Sequence, residues 1–173
     1  MLEIGFGMGE ATALMAAADP STDLLAVDVH PAGVMALLRR LETADLSNVR
    51  VVEGNAVPVL RSLPDGCLSG LRVYFPDPWP KARHAKRRLL RPSFAALAAA
   101  KLAPGAALHL ATDWPEYVEH ARDALQGWDV QVIDRPDSRP LTGYERRAHR
   151  EGRSAFDLLC HPPTFTTPCG ETP

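Results

Sequence analysis

Short apolar strands alternate with helical runs along most of this sequence, and that alternation constrains the fold more than any other feature. Segments 24–29 and 49–53 have the length and apolar content of buried strands, and segment 31–44 between them has helical spacing. Pro31 stands at the start of that helix, where a first turn tolerates proline. Strand, helix and strand at this spacing predict βαβ units and a mainly parallel sheet in an α/β domain.

The same pattern continues to the far end of the chain. Strands are predicted at 1–4, 24–29, 49–53, 71–75, 106–111, 129–133 and 155–159. Helices are predicted at 10–18, 31–44, 57–63, 92–102 and 115–125. A long loop without a helix is predicted between the last two strands, so at least one strand pair there should be antiparallel. The domain is predicted to span 1–160, and the proline-rich residues 161–173 should form a loose tail.

Composition limits the class of protein further. The 173 residues suffice for one domain with a proper core, and 46% hydrophobic with 23% charged residues is typical of globular chains. The sequence has no apolar run of membrane-spanning length and no signal-peptide pattern. Three cysteines without a C-x-x-C pair favour the reducing cytoplasm. Cys160, His161 and Cys169 as metal ligands are much less favoured than a buried strand thiol and a tail cysteine, so no metal is expected.

A glycine-rich loop follows the first strand. Gly5, Gly7 and Gly9 permit a tight turn and the close approach of a ligand. The spacing is G-x-G-x-G, and Glu10 occupies the place of the third glycine in the dinucleotide fingerprint. A carboxylate there disfavours a pyrophosphate at the helix N-terminus. A phosphate-free ligand such as S-adenosylmethionine fits better, because Glu3 adds negative charge near its cationic groups.

Polar residues also end the next two strands. Asp28 is placed to accept hydrogen bonds from ribose hydroxyls, and Asn55 could contact an adenine edge. Helix capping by Asp28 and Asn55, and a plain strand-to-helix turn for the glycines, remain the alternatives. Three such features at successive strand ends favour the cofactor interpretation.

A proline-rich loop and a basic run follow the fourth predicted strand. Three prolines in 75–81 restrict the backbone around Asp77. The following residues 81–91 hold six Lys or Arg and no acid, which favours phosphate contact over a solvated helix face. The formal net charge of −2 conceals this: 81–91 and 135–153 together hold twelve of the nineteen Lys and Arg but three of the twenty-one acids.

Four motifs resemble one enzyme family over about residues 2–160. They are F-P-D-P-W-P-K at 75–81 with H-A-K-R-R at 84–88, E-I-G-F-G-M-G at 3–9, A-T-D at 111–113, and R-P-L-T-G-Y-E at 139–145. The chain is similar here to the bacterial, single-subunit tRNA (guanine-N7-)-methyltransferases. The resemblance implies a Rossmann-like class I S-adenosylmethionine-dependent fold, with seven strands, an antiparallel last strand and helices on both faces. It also implies methyl transfer from S-adenosylmethionine to N7 of guanosine 46 in the tRNA variable loop.

The resemblance assigns roles to residues of this sequence. The catalytic residue would be Asp77. The cofactor contacts would be Glu3, Gly5, Gly7, Gly9, Asp28, Asn55 and Asp77. The substrate contacts would be Lys81, Asp113, Thr142, Gly143, Tyr144 and Glu145. The RNA contacts would be Arg83, His84, Ala85, Lys86, Arg87 and Arg88.

Some of these assignments have alternatives. Asp77 could instead order its own loop, and Asp113 could be the N-cap of the helix that begins at Pro115. Trp79 could stack on a base or pack in the core. Gly143 stands where the family usually has a basic residue. The family usually carries several tens of residues before the first strand, so we expect a shortened member.

The rival functions are a catalytically impaired or inactive RNA-binding relative that still binds S-adenosylmethionine and, less favoured, a nucleotide-dependent oxidoreductase. Monomer and homodimer both remain open.

Overall fold

The computed structural model describes residues 1–163, without the side chain of Ala82. The tail predicted from residue 161 therefore lies largely outside the described residues, as does Cys169. His161 belongs to the last strand, and Cys160 beside it is the buried strand thiol that was expected.

The strands and helices follow the predicted order closely. The strands are β1 (Leu2–Ile4), β2 (Leu24–Asp28), β3 (Val49–Glu53), β4 (Leu71–Tyr74), β5 (Leu108–Thr112), β6 (Asp129–Ile133) and β7 (Phe156–His161). The helices are α1 (Glu10–Ala18), α2 (Pro31–Thr43), α3 (Ala56–Ser62), α4 (Pro92–Lys101), α5 (Pro115–Ala124) and α6 (Gly143–Arg150), with a 3-10 helix at Ala82–Arg87. None of the helices in this part of the chain is long and apolar enough to cross a membrane.

All seven strands form one sheet in the order β3-β2-β1-β4-β5-β7-β6. The first five strands pair in parallel, whereas β7 pairs antiparallel with both β5 and β6. The antiparallel pairing expected at the end of the chain is confirmed. The strand order reverses between β1 and β4, and ligands of such sheets bind at this switch point, beyond the carboxyl ends of the strands.

Helices cover both faces of the sheet. The larger apolar cluster joins the strands to α3, α4 and α5 through residues such as Leu60, Phe94 and Tyr117. The second cluster joins α1 and α2 to the other face, with Leu37 fully buried. Neighbouring residues of β2 alternate between the clusters, Ala26 in the second and Val27 in the first, because successive strand side chains point to opposite faces.

The connection between β6 and β7 corrects the sequence prediction. A loop without a helix was expected there, but α6 occupies it. The helix buries only Glu145 and Ala148, so its sequence lacks the apolar periodicity that identifies a helix. Thr142 caps it, with its Oγ1 accepting a hydrogen bond from the Glu145 amide at 3.1 Å.

Candidate active site

The glycine loop after β1 is held open by its backbone. Gly5, Gly7 and Gly9 all have positive φ angles, of 80°, 57° and 71°. A Cβ on Gly5 or Gly7 would meet no atom within 4 Å, so the loop borders open space. The Gly7 amide donates a hydrogen bond to Asp28 Oδ2 at 2.8 Å, and the His30 amide donates to Oδ1 at 2.9 Å. The Asp28 carboxylate is thereby oriented, and each oxygen keeps a lone pair for a ligand hydroxyl.

Two buried polar side chains lie beneath this loop. Glu3 is 2% exposed, and its Oε2 has no hydrogen-bond partner among the described residues. Desolvation by burial raises the pKa of Glu3 to about 7. Thr12 on α1 is fully buried beside Glu3, and its hydroxyl partly offsets this rise in the pKa. Unpaired buried groups of this kind are costly, and a cationic ligand in the loop would compensate Glu3.

Asn55 lies at the end of β3 and caps α3. Its Oδ1 accepts a hydrogen bond from the Val57 amide at 2.9 Å, which confirms the capping interpretation. The side chain is exposed, and its amide nitrogen can still donate to a ligand. Asp28 does not cap α2, because the N-cap of that helix is His30 and receives no side-chain capping bond.

The proline-rich loop after β4 is strained at both ends and presents Asp77 to solvent. Phe75 and Trp79 have positive φ angles of 50° and 42°, which are unusual for bulky residues. Asp77 between them is exposed. Arg88 fixes the loop through two hydrogen bonds: its Nε donates to the Pro78 carbonyl at 2.8 Å and its Nη2 donates to the Trp79 carbonyl at 3.3 Å. Backbone strain of this kind is typical of functional sites.

The basic run forms the 3-10 helix and the residues beside it. Arg87 lies over the Trp79 ring at 4.8 Å from its centroid, and the His84 ring meets Trp79 edge-on at 5.7 Å. Trp79 is half-buried by these contacts. Of the predicted RNA contacts, Arg88 and His84 are half-buried, as is Ala85. The exposed cationic side chains of the basic run are those of Lys81, Arg83, Lys86, Arg87 and Arg91.

Asp113 follows β5 and pairs with Arg153, which lies three residues beyond the C-terminal end of α6. The Arg153 Nε donates to Asp113 Oδ2 at 2.9 Å. The alternative that Asp113 caps α5 is wrong: the N-cap is Trp114, whose amide donates to Thr112 Oγ1 at 3.2 Å.

The segment that was expected to contact substrate lies at the start of α6. Tyr144 is 71% exposed and Gly143 is exposed, whereas Glu145 is 2% exposed. Both Glu145 oxygens accept hydrogen bonds from Arg139. The next residue, Arg146, donates through Nη2 to Glu10 Oε2 at 2.9 Å and links α6 to the start of α1.

The predicted cofactor, catalytic and substrate residues therefore lie at or beyond the same edge of the sheet, where β1 to β5 end and β7 begins. Sequence reasoning missed several residues that support them. Arg139 was identified only as a member of the motif at 139–145. No sequence motif or turn signal identified His109 or Asp157. Gly33, on α2, also escaped notice, although a Cβ there would overlap the Gly7 carbonyl oxygen.

Comparison of the whole chain with known proteins agrees with this architecture. A 16S rRNA (adenine(1408)-N(1))-methyltransferase from Catenulisporales acidiphilia superposes with a TM-score of 0.62 at 20% identity, covering 96% of this chain and 87% of that one. The fold is that of the class I S-adenosylmethionine-dependent methyltransferases. A family model described as "Putative methyltransferase" matches residues 1–158.

Two relatives with much higher identity carry the same name. The tRNA (guanine-N(7)-)-methyltransferase of Nitrosospira multiformis is 47% identical over 165 residues, which cover 91% of this chain and 72% of that protein. The protein of the same name from Streptomyces coelicolor is 52% identical over 168 residues, and the match spans 62% of its length. At this identity and coverage, the chain belongs to the tRNA (guanine-N(7)-)-methyltransferase family.

Proposed function

We propose that this protein transfers the methyl group of S-adenosylmethionine to N7 of guanosine 46 in the variable loop of tRNA. The observation that carries the proposal is the strained, exposed Asp77 loop, which follows β4 next to β1 and continues directly into a run of exposed cationic side chains. The names of relatives about 50% identical support the same activity.

The cofactor pocket would be built by Glu3, the open glycine loop, Asp28 and Asn55. The orphaned Glu3 oxygen and the empty space beside Gly5 and Gly7 fit a phosphate-free, cationic ligand. Asp28 would accept the ribose hydroxyls and Asn55 would donate to the adenine. When bound, S-adenosylmethionine supplies an electrophilic methyl on a sulfonium.

The protein's part in the transfer is alignment and charge stabilisation. Guanine N7 has an in-plane lone pair and no proton, so its attack on the methyl needs no general base. Holding N7 in line with the methyl is the main contribution. Positive charge then develops on the imidazole ring of the base, and the Asp77 carboxylate stabilises it. Lys81, Asp113 and Thr142–Tyr144 would hold the nucleotide, whereas both oxygens of the buried Glu145 are already bound by Arg139.

The exposed cations of the basic run would bind the RNA backbone. Arg83, Lys86 and Arg87 are exposed and can reach phosphates, and they supply the sequence-independent part of tRNA affinity. Arg88 is half-buried and its guanidinium already bonds the Asp77 loop, so we place it with the active site. Because tRNA is its substrate, we expect the protein in the cytoplasm.

The decisive experiment is labelled methyl transfer to an unmodified tRNA that carries guanosine at position 46. A matched tRNA with adenosine at that position is the control. We expect transfer to the first and none to the second. Cofactor binding without transfer to either would establish the alternative, an inactive RNA-binding relative. Equal transfer to both would contradict the proposed position.

A further inference from the structure

One arginine forms the centre of a buried charge cluster between β7 and α6. Arg139 is 1% exposed and is the largest fully buried side chain among the described residues. Its Nε and Nη2 donate to the two oxygens of Asp157 at 2.6 Å each. Its Nη1 and Nη2 donate to the two oxygens of Glu145 at 2.6 and 3.1 Å. Both carboxylates are therefore bound in the bidentate geometry that only arginine provides.

The cluster continues towards the strand that carries the Asp77 loop. His109 Nε2 lies 2.7 Å from Asp157 Oδ1, and His109 Nδ1 lies 3.0 Å from the Tyr74 hydroxyl. The Arg139 guanidinium carbon is 5.7 Å from the Tyr74 ring centroid and 5.6 Å from that of Phe75. Phe75 is the residue with positive φ at which the loop leaves β4.

Arg139 thus contacts two segments of the candidate site, the start of α6 and the start of the Asp77 loop. On one side it holds Glu145, the end of the segment that was expected to contact substrate. On the other it packs on the aromatic pair from which the Asp77 loop departs. We propose that Arg139 is a positioning residue that keeps the Thr142–Glu145 segment at a fixed position relative to the Asp77 loop. Glu145 then acts through Arg139 and does not itself reach the nucleotide. This inference rests on the proposed function.

The packing of α6 explains why a buried charge cluster is needed to fix the position of this helix. The helix buries only Glu145 and Ala148, so few apolar contacts hold it against the sheet. Its other anchors are the exposed Arg146–Glu10 pair and the Arg153–Asp113 pair, which water screens. A buried ion pair is weak evidence of net stabilisation, but its geometry is specific. The cluster is suited to fixing position.

The first test is Arg139→Lys, which keeps the charge but cannot bind two carboxylates bidentately. Arg122→Lys, at an exposed pair on α5, is the matched control. We expect an unchanged Kd for S-adenosylmethionine and a kcat for tRNA methylation, per cofactor-binding site, reduced about 100-fold, since misplacement by about 1 Å can have that effect. A lowered Tm with kcat per site within twofold of the wild type would overturn the proposal.

A double-mutant cycle tests the route through Glu145. In a Glu145→Gln background, the additional loss of kcat from Arg139→Lys should shrink to less than about threefold, because coupled residues are non-additive. Independent, multiplicative losses would show that the two residues do not act together.

Hydrogen exchange provides a readout that does not depend on the reaction. Arg139→Lys should speed amide exchange both in α6 and at Phe75, whose amide donates to the Ala111 carbonyl at 2.7 Å where the Asp77 loop leaves β4, while the glycine loop stays unchanged. Faster exchange confined to α6 would overturn the coupling between the two segments. A wild-type protein without methyl transfer would contradict the proposed function, and the exchange result would still decide this inference.

Discussion

Gly33 on α2 packs directly against the carbonyl oxygen of Gly7, so that even one methyl group on Gly33 would overlap it. The two residues are 26 positions apart, and their contact fixes how closely the glycine loop approaches α2. The Gly7 amide in turn orients Asp28. A residue outside the motif therefore supports the predicted cofactor site.

Replacing Gly33 with alanine should damage that site. We expect Gly33→Ala to lower the free energy of unfolding by about 1–3 kcal/mol, as overpacking typically does, and to weaken S-adenosylmethionine binding. Chemical denaturation and calorimetry would measure the two effects. Gly143→Ala is the matched control, because its nearest neighbour would be Arg146 Nη2 at 3.8 Å and helix propensity favours alanine. The same free energy of unfolding and the same affinity for S-adenosylmethionine in the two variants would contradict the packing argument.

Asp77 should be essential for turnover but not for folding. Because it is exposed and lies in a loop, we expect Asp77→Ala to reduce kcat by about 10²- to 10³-fold with an unchanged Tm. Single-turnover methyl transfer at saturating cofactor and tRNA would measure it. Asp123→Ala, at an exposed position of α5, should retain full activity. A near-normal rate for Asp77→Ala would remove Asp77 from the mechanism.

Arg87 and Arg88 should fail in different ways although they are neighbours. Arg87→Ala should weaken tRNA binding and reduce the slope of log K against log salt by about 1, because one phosphate contact is lost. Arg88→Ala should instead lower kcat, since it releases the Pro78 and Trp79 carbonyls beside Asp77. Salt-dependent binding and turnover assays on both variants distinguish the roles. Identical salt slopes and identical rates for the two variants would contradict this division.

Glu3 should make stability depend on pH in the range between about 4.5 and 7. Burial raises the pKa of Glu3 from 4.5 to about 7, so the folded protein binds more protons than the unfolded chain in this window. Its contribution to stability is therefore present below pH 4.5 and is lost as the pH rises to 7. We expect Glu3→Gln to be more stable than wild type at pH 8, by up to about 3 kcal/mol, with no advantage at pH 4.

Denaturant titrations across this pH range would measure the effect of Glu3→Gln. Glu53→Gln, at an exposed position of β3, is the control and should show no such trend. A constant difference between Glu3→Gln and wild type from pH 4 to pH 8 would refute the assignment to Glu3.

The architecture and the sheet edge that holds the candidate site could be predicted from the amino-acid sequence. Strand lengths, proline starts and glycine turns depend on neighbouring residues, so they can be recognised locally, and the carboxyl edge of a parallel sheet follows from them. The glycine loop, Asp28 and the Asp77 loop were identified in this way. The cap formed by Asn55 was equally local.

The groups that support that site became visible in the three-dimensional arrangement of the chain. Asp113 pairs with Arg153, 40 residues away, and Arg146 pairs with Glu10, 136 residues away. Such pairs depend on the strand order, which places β7 between β5 and β6 and carries α6 to the switch point. Helix α6 itself was missed because charge pairs rather than an apolar stripe hold it, and the hydrophobic pattern of a sequence does not record charge pairs between distant residues.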